Sequence, residues 1–250
     1  MSPKAALSYR KPCSYEEATE LLWSLGDPYT IQILGASTNG KSIYAISIGA
    51  RHAPAIVYAG ADLPTAALLL HFAFSLPSLL ARNATLHRIH LPTLLQHRRL
   101  YICPFLCPDG SAPLTNGLGV FLPDCFTKSG IPVPEKAPEA SALRQFLTYT
   151  EPALFCVFRQ SEPAAVGPRL YPTTTHVPVD HLLSRLLSGS AESATAGPAF
   201  LSIPRWYAQE TGHLAYGVTL PPELPTLQPF LVTAPLLIHT SHGSTGASCC

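Results

Sequence analysis

From residue 29 onward the apolar residues change period again and again, and that switching most restricts the fold. Residues 29–34 and 42–48 alternate with a period of two, and Gly35-Ala-Ser-Thr-Asn-Gly40 lies between them, which predicts a β-hairpin with an extended loop. Residues 54–59 form a short apolar run of buried-strand length, and residues 66–80 read as a helix packed on a sheet. Further strands are predicted over 99–106, 153–159 and 216–220. Ser14 and Glu17 form a capping box ahead of a helix at about 15–25. Pro138 starts a helix whose body is 140–148, and Leu-rich spacing predicts helices over 179–187 and 227–238. Strands alternating with helices, opened by one hairpin, imply a mixed sheet covered on both faces.

No linker divides the 250 residues, so one domain spanning 1–250 is expected, with a Gly/Ser tail at 241–250 read as disordered. Residues 188–198 are the candidate mobile loop, and the Pro-rich pieces 131–138 and 221–229 read as rigid loops. Charged residues make up 12% of the chain, half the share of about 25% usual for soluble domains. Such a surface either exposes apolar patches for a protein partner or homo-oligomer, or is simply rich in Ser, Thr and Pro. The net charge is +1 and no basic block occurs, so nucleic-acid binding is not expected. Seven cysteines without a C-x-x-C pair argue against a disulfide framework and a structural zinc site. The first fifteen residues lack a signal-peptide core, and the apolar run 66–76 is too short to span a bilayer. A reducing, cytoplasmic setting with no membrane span is the expectation.

Five landmarks occur in order. They are Gly35-Ala-Ser-x-x-Gly-Lys-Ser-Ile43; Tyr58-Ala-Gly-Ala61 with Thr65 to Phe72; Leu100 to Gly110, ending Cys107-Pro-Asp-Gly110; Asn116-Gly-Leu-Gly-Val-Phe-Leu-Pro-Asp-Cys-Phe126; and Trp206 to Glu210 leading to Tyr216-Gly-Val-Thr-Leu-Pro221. Together they resemble the zinc carboxypeptidase family, most of all its short bacterial branch that includes γ-D-glutamyl-L-diamino acid endopeptidases. The resemblance implies an α/β fold, a three-layer αβα sandwich around a mixed, mainly parallel sheet. It also implies a zinc cofactor held by H-x-x-E and a later His, a Glu acting as general base, and an Asn-Arg pair that holds a terminal carboxylate.

At the matching positions the residues differ. The H-x-x-E site falls on Ala61-Asp-Leu-Pro-Thr65. Without a gap Asp62 takes the His place and Thr65 the Glu place; with a small deletion Asp62 takes the Glu place. Asp62 reads either as a residual metal ligand or as a cap of the following helix. Phe158 stands where the third ligand would be, beside Arg159, with Gln160 and Glu162 matching the family context. Thr219 stands where the base would be, and Pro123-Asp124-Cys125 occupies the anion-binding segment. Cys107 replaces the Asn before Pro-Asp-Gly, Leu118 an Arg, and Arg205 the Asp before the family Trp. Asp62, Thr65, Cys107, Pro123, Asp124, Cys125, Phe158 and Thr219 are therefore read as a vestigial cleft, with no catalytic residue, no metal ligand and no cofactor.

Three further constellations carry ligand or nucleophile residue types. His239-Thr-Ser-His242 has ligand spacing but adjoins the tail, and His87, His90 and His97 lack carboxylate companions. Cys107 or Cys125 as a nucleophile has no visible base. The expected function is a non-catalytic carboxypeptidase-like protein that binds a peptide, a muropeptide or other cell-wall fragment, or a protein partner. The alternative is an active metallocarboxypeptidase or γ-D-glutamyl peptidase with an atypical metal site.

Overall fold

Ser14 caps the first helix, α1 (Tyr15–Ser24): the Ser14 hydroxyl accepts from the Glu17 amide and the Glu17 carboxylate accepts from the Ser14 amide. The computed structural model describes residues 14–86, 89–110, 113–127, 135–160, 169–173 and 199–220. A hairpin follows, β1 (Thr30–Ala36) and β2 (Ser42–Gly49), then β3 (Ala55–Gly60) and the long helix α2 (Leu63–Ala81). A small hairpin, β4 (Thr85–Leu86) and β5 (Ile89–His90), and the short α3 (Leu91–His97) lead into β6 (Arg99–Cys103). After a 3-10 turn at Leu122–Phe126 come α4 (Pro138–Thr150), β7 (Leu154–Gln160) and β8 (Arg169–Pro172). A second 3-10 turn, Ala199–Leu201, opens α5 (Ser202–Thr211), and β9 (Leu214–Leu220) completes the described chain.

The sheet runs β1-β2-β6-β3-β7-β9-β8. Its four central strands, β6, β3, β7 and β9, are parallel, while the hairpin on one flank and β8 on the other pair antiparallel. Parallel strands need both faces covered, and β3 is buried along all six residues. On one face Tyr58, Phe158 and Val218 pack with Leu69, Phe72 and Leu76 of α2 and Leu22 of α1. On the other, Phe155, Val157 and Ala215 pack with Leu143 and Leu147 of α4 and Ile203 and Tyr207 of α5. This is a mixed sheet between helical layers, as the periodicity predicts.

The differences are local. The β6 strand ends at Cys103 rather than near 106, because Pro104 has no amide to donate. The region around His90 and His97 forms β5 and α3 instead of a plain connection, with both imidazoles exposed. The helix α5 and the edge strand β8 have no counterpart among the elements the periodicity predicts. The apolar run 66–76 lies inside a longer helix: α2 has 19 residues and a window of mean hydropathy 1.6, enough by length and composition to cross a membrane. Half of that window is buried within the fold, against the sheet and α1. The predicted helices at 179–187 and 227–238, the loop 188–198, the tail 241–250, and His239 and His242 lie outside the described residues.

Candidate functional site

The carboxyl ends of β3 and β7 meet the start of α2 through Asp62. Asp62 is the N-cap of α2: Oδ1 accepts from the Thr65 amide at 2.9 Å and from the Thr65 hydroxyl at 2.8 Å. Its second oxygen, Oδ2, accepts from the Gln160 amide at 2.8 Å, where β7 ends. One carboxylate thus fastens a helix start to a strand end. Thr65 is 2% exposed, and its hydroxyl also lies 3.2 Å from the Phe158 carbonyl. That carbonyl accepts from Ala61 at 2.8 Å.

Phe158 itself is fully buried, edge-on to Tyr58 with ring centroids 5.2 Å apart. Its ring belongs to the core under α2. In the β7–β9 register Phe158 faces Val218, and Arg159 faces Thr219. Side chains alternate across a strand, so Thr219 projects to the face opposite Phe158. Gly217, two residues earlier on that face, confirms the direction: a Cβ there would lie 2.0 Å from Leu201 Cδ2, a residue of the second core. Arg159 holds its guanidinium 5.9 Å from the Phe200 ring centroid. The Thr219 hydroxyl is buried and has no hydrogen-bond partner among the described residues.

The remaining predicted positions sit on a segment draped over the end of β3. Leu106 and Leu114 donate to the carbonyls of Gly60 and Ala61. A Cβ at Gly60 would lie 2.3 Å from the Pro104 carbonyl, so the close approach of this segment requires glycine there. Cys107 and Cys125 pack, half-buried, against the second core, Pro123 is buried and Asp124 is exposed. Burial, with Glu139, Asp109 and Cys125 nearby, pushes the Cys107 thiol well up. Burial and Asp124 push the Cys125 thiol up, with Arg144 opposing. Neither is a ready thiolate, so neither has the activation a nucleophile needs. Arg144 donates to the Cys125 carbonyl at 2.6 Å and lies 4.6 Å over the Trp206 ring, which clamps this turn to α4 and α5.

A polar hub that the sequence reading missed supports this segment. Glu139 is 1% exposed; Oε1 accepts from the Thr38 amide and hydroxyl at 2.8 Å each, and Oε2 accepts from Asn116 Nδ2 at 3.2 Å. Asn116 Oδ1 accepts from the Leu118 and Val120 amides, and Asp109 Oδ2 accepts from the Asn39 backbone amide at 2.7 Å. The only signals were the Asn-Gly pairs in both loops. A Glu in the first turn of a helix is ordinarily solvated, so nothing in the pattern around Pro138 marks Glu139 as buried.

The structure therefore joins Asp62, Thr65 and Phe158 directly, sets Thr219 across the sheet from Phe158, and packs Cys107 and Cys125 against the second core, with Pro123 and Asp124 in the turn that leads into Cys125. Among the described residues no three His, Cys, Asp or Glu side chains converge as metal ligands do. No protein-family profile matches the sequence, and no curated protein matches it. Solved structures do match. A metallo-carboxypeptidase from Burkholderia cenocepacia superposes with a TM-score of 0.71 at 16% identity, covering 93% of this chain and 71% of that one. A metallo-carboxypeptidase from Pseudomonas aeruginosa gives 0.70 at 17% identity over 93% and 71%. Bovine thrombin-activatable fibrinolysis inhibitor gives 0.64 at 14% identity over 93% of this chain and 98% of that one. The fold is carboxypeptidase-like.

Proposed function

We propose that this carboxypeptidase-like chain is a binding protein and not a peptidase. The observation that carries the reading is the fate of Asp62 and Phe158, the two positions at which a metal ligand is most expected. Both carboxylate oxygens of Asp62 are engaged by the α2 cap and the end of β7. Phe158 fills the core with a ring that has no lone pair to offer a cation. The donor set does not fit the zinc ion that the fold family implies. Thr219 supplies no general base, since a hydroxyl does not take up a proton near neutral pH.

The ligand is read as a peptide or cell-wall fragment, with a protein partner or a second copy of the chain as the other binding modes. The order of the five landmarks supports kinship with the short bacterial γ-D-glutamyl-L-diamino acid endopeptidase branch, its zinc motifs lost. A cytoplasmic setting is supported by Cys103, Cys107, Cys125 and Cys156, all free thiols. The test is metal analysis of the purified chain together with assays on peptide and γ-D-glutamyl substrates. The expected result is substoichiometric zinc, no hydrolysis, and no change in melting temperature on chelation. Stoichiometric zinc whose removal abolishes hydrolysis would overturn the reading in favour of an enzyme with an atypical metal site.

A further inference from the structure

We propose that Arg159 and Thr219 form an anion site that takes a carboxylate. The assignment rests on the binding reading above and gives its ligand a chemistry. Both residues stand at the carboxyl ends of parallel strands, the side of an open α/β sheet on which ligands bind. Arg159 is half-buried, with the Phe200 ring beneath its guanidinium and no carboxylate within ion-pair distance among the described residues. A guanidinium carries five N–H donors, and a ring satisfies none of them as a hydrogen-bond acceptor. Beside it in register, the Thr219 side chain is 7% exposed and its hydroxyl lacks a described partner. Buried polar groups are nearly always paired, so a hydroxyl and its register neighbour, a guanidinium, that both lack an acceptor among the described residues point to one supplied from outside.

The Asp62 carboxylate, the N-cap of α2, accepts from the Gln160 amide one residue beyond Arg159 and from Thr65, so it is already engaged. A planar fork beside one hydroxyl matches the two oxygens of a carboxylate monoanion. A phosphate dianion would meet more repulsion from Asp62 and find too few donors.

The test is an NMR titration of the metal-free full-length protein with sodium acetate, N-acetylglycine, N-acetylglycinamide and sodium phosphate, at ionic strength held constant with sodium chloride. The Arg159 Nε–H resonance, identified by its loss in Arg159→Gln, is expected to shift saturably with both carboxylates and not with the amide. Acetate affinity should fall about tenfold or more in Arg159→Gln and about threefold in Thr219→Val. N-acetylglycine binding tighter than acetate would make the source a peptide C-terminus; equal affinities would make it a free acid or an acidic side chain. A response no larger than that to sodium chloride overturns the proposal. So does phosphate binding tighter than acetate, or acetate affinity unchanged in either variant while that variant keeps a native spectrum. Zinc content and hydrolysis measured on the same samples separate the two claims. A zinc-bearing hydrolase that still binds acetate would sink the non-catalytic reading alone, and an inactive, zinc-free protein that ignores acetate would sink this site alone.

Discussion

Position 158 shows how one side chain can decide between two chemistries. A histidine there would have to leave the core to reach a cation, because the space the side chain occupies is lined by Tyr58, by Phe72 beyond it, and by the rest of the α2 face. Phenylalanine gains from that burial about 1.5–3 kcal/mol relative to exposure. Phe158→Ala would leave a void, at a cost of about 3–5 kcal/mol. Phe158→His keeps much of the volume but buries two ring nitrogens without partners, so a loss of about 2–4 kcal/mol is expected. Urea denaturation of wild type and variant reads that loss directly. The same variant should not acquire stoichiometric zinc, because Asp62 stays committed to Thr65 and Gln160. A variant as stable as wild type, or one that takes up an equivalent of zinc, would mean that the ring position is more open than its burial indicates.

At the scale of elements, Glu139 ties three segments together: the β1–β2 loop through Thr38, the 113–121 loop through Asn116, and the first turn of α4 that carries it. Every partner is a donor, and a carboxylate is the group that accepts at both oxygens. Glu139→Gln sets an amide N–H₂ against the Thr38 amide or against Asn116 Nδ2, whichever way the amide turns. The expected cost is about 1–3 kcal/mol, the penalty of an unmet buried donor, while Glu135→Gln on the exposed surface nearby should change little. Urea midpoints for the pair of variants check this, and equal midpoints would remove the hub from the account. The contrast between Glu139 and Glu135 also shows what the sequence could carry. The hairpin, β3, α2, α4 and β7 were legible because their period and length are unambiguous. The short α3, with Pro92 in its first turn and no side-chain cap, offers too few periodic positions to read. The four-residue β8 is defined only by its antiparallel neighbour β9. The Asp62 cap was one of two readings open from Asp-Leu-Pro-Thr, and the bond its Oδ2 accepts from the Gln160 amide joins residues 98 apart that only the fold brings together. For the same reason the pairing of Arg159 with Thr219 could not be seen: it is a register, and register is decided between strands.

Across the whole molecule the sheet is unevenly protected. Its parallel centre is closed on both faces, with β3 buried throughout and β7 buried over its first five residues. At one edge β1 is exposed or half-exposed at every position, with Ile33 60% exposed, and Trp23 of α1 is 56% exposed. The outer edge of such a strand presents unpaired amides and carbonyls, which open more readily than those of a central strand. Hydrogen exchange followed by mass spectrometry should therefore rank β3 and β7 slower than β1, because central amides exchange through near-global unfolding and edge amides through local opening. The ranking should hold at every protein concentration if this edge faces water. Exchange in β1 that slows as concentration rises would instead mean that a second copy covers the edge. The exposed Ile33 and Trp23 would then be interface residues, and the low charge content of the chain would have its explanation in self-association.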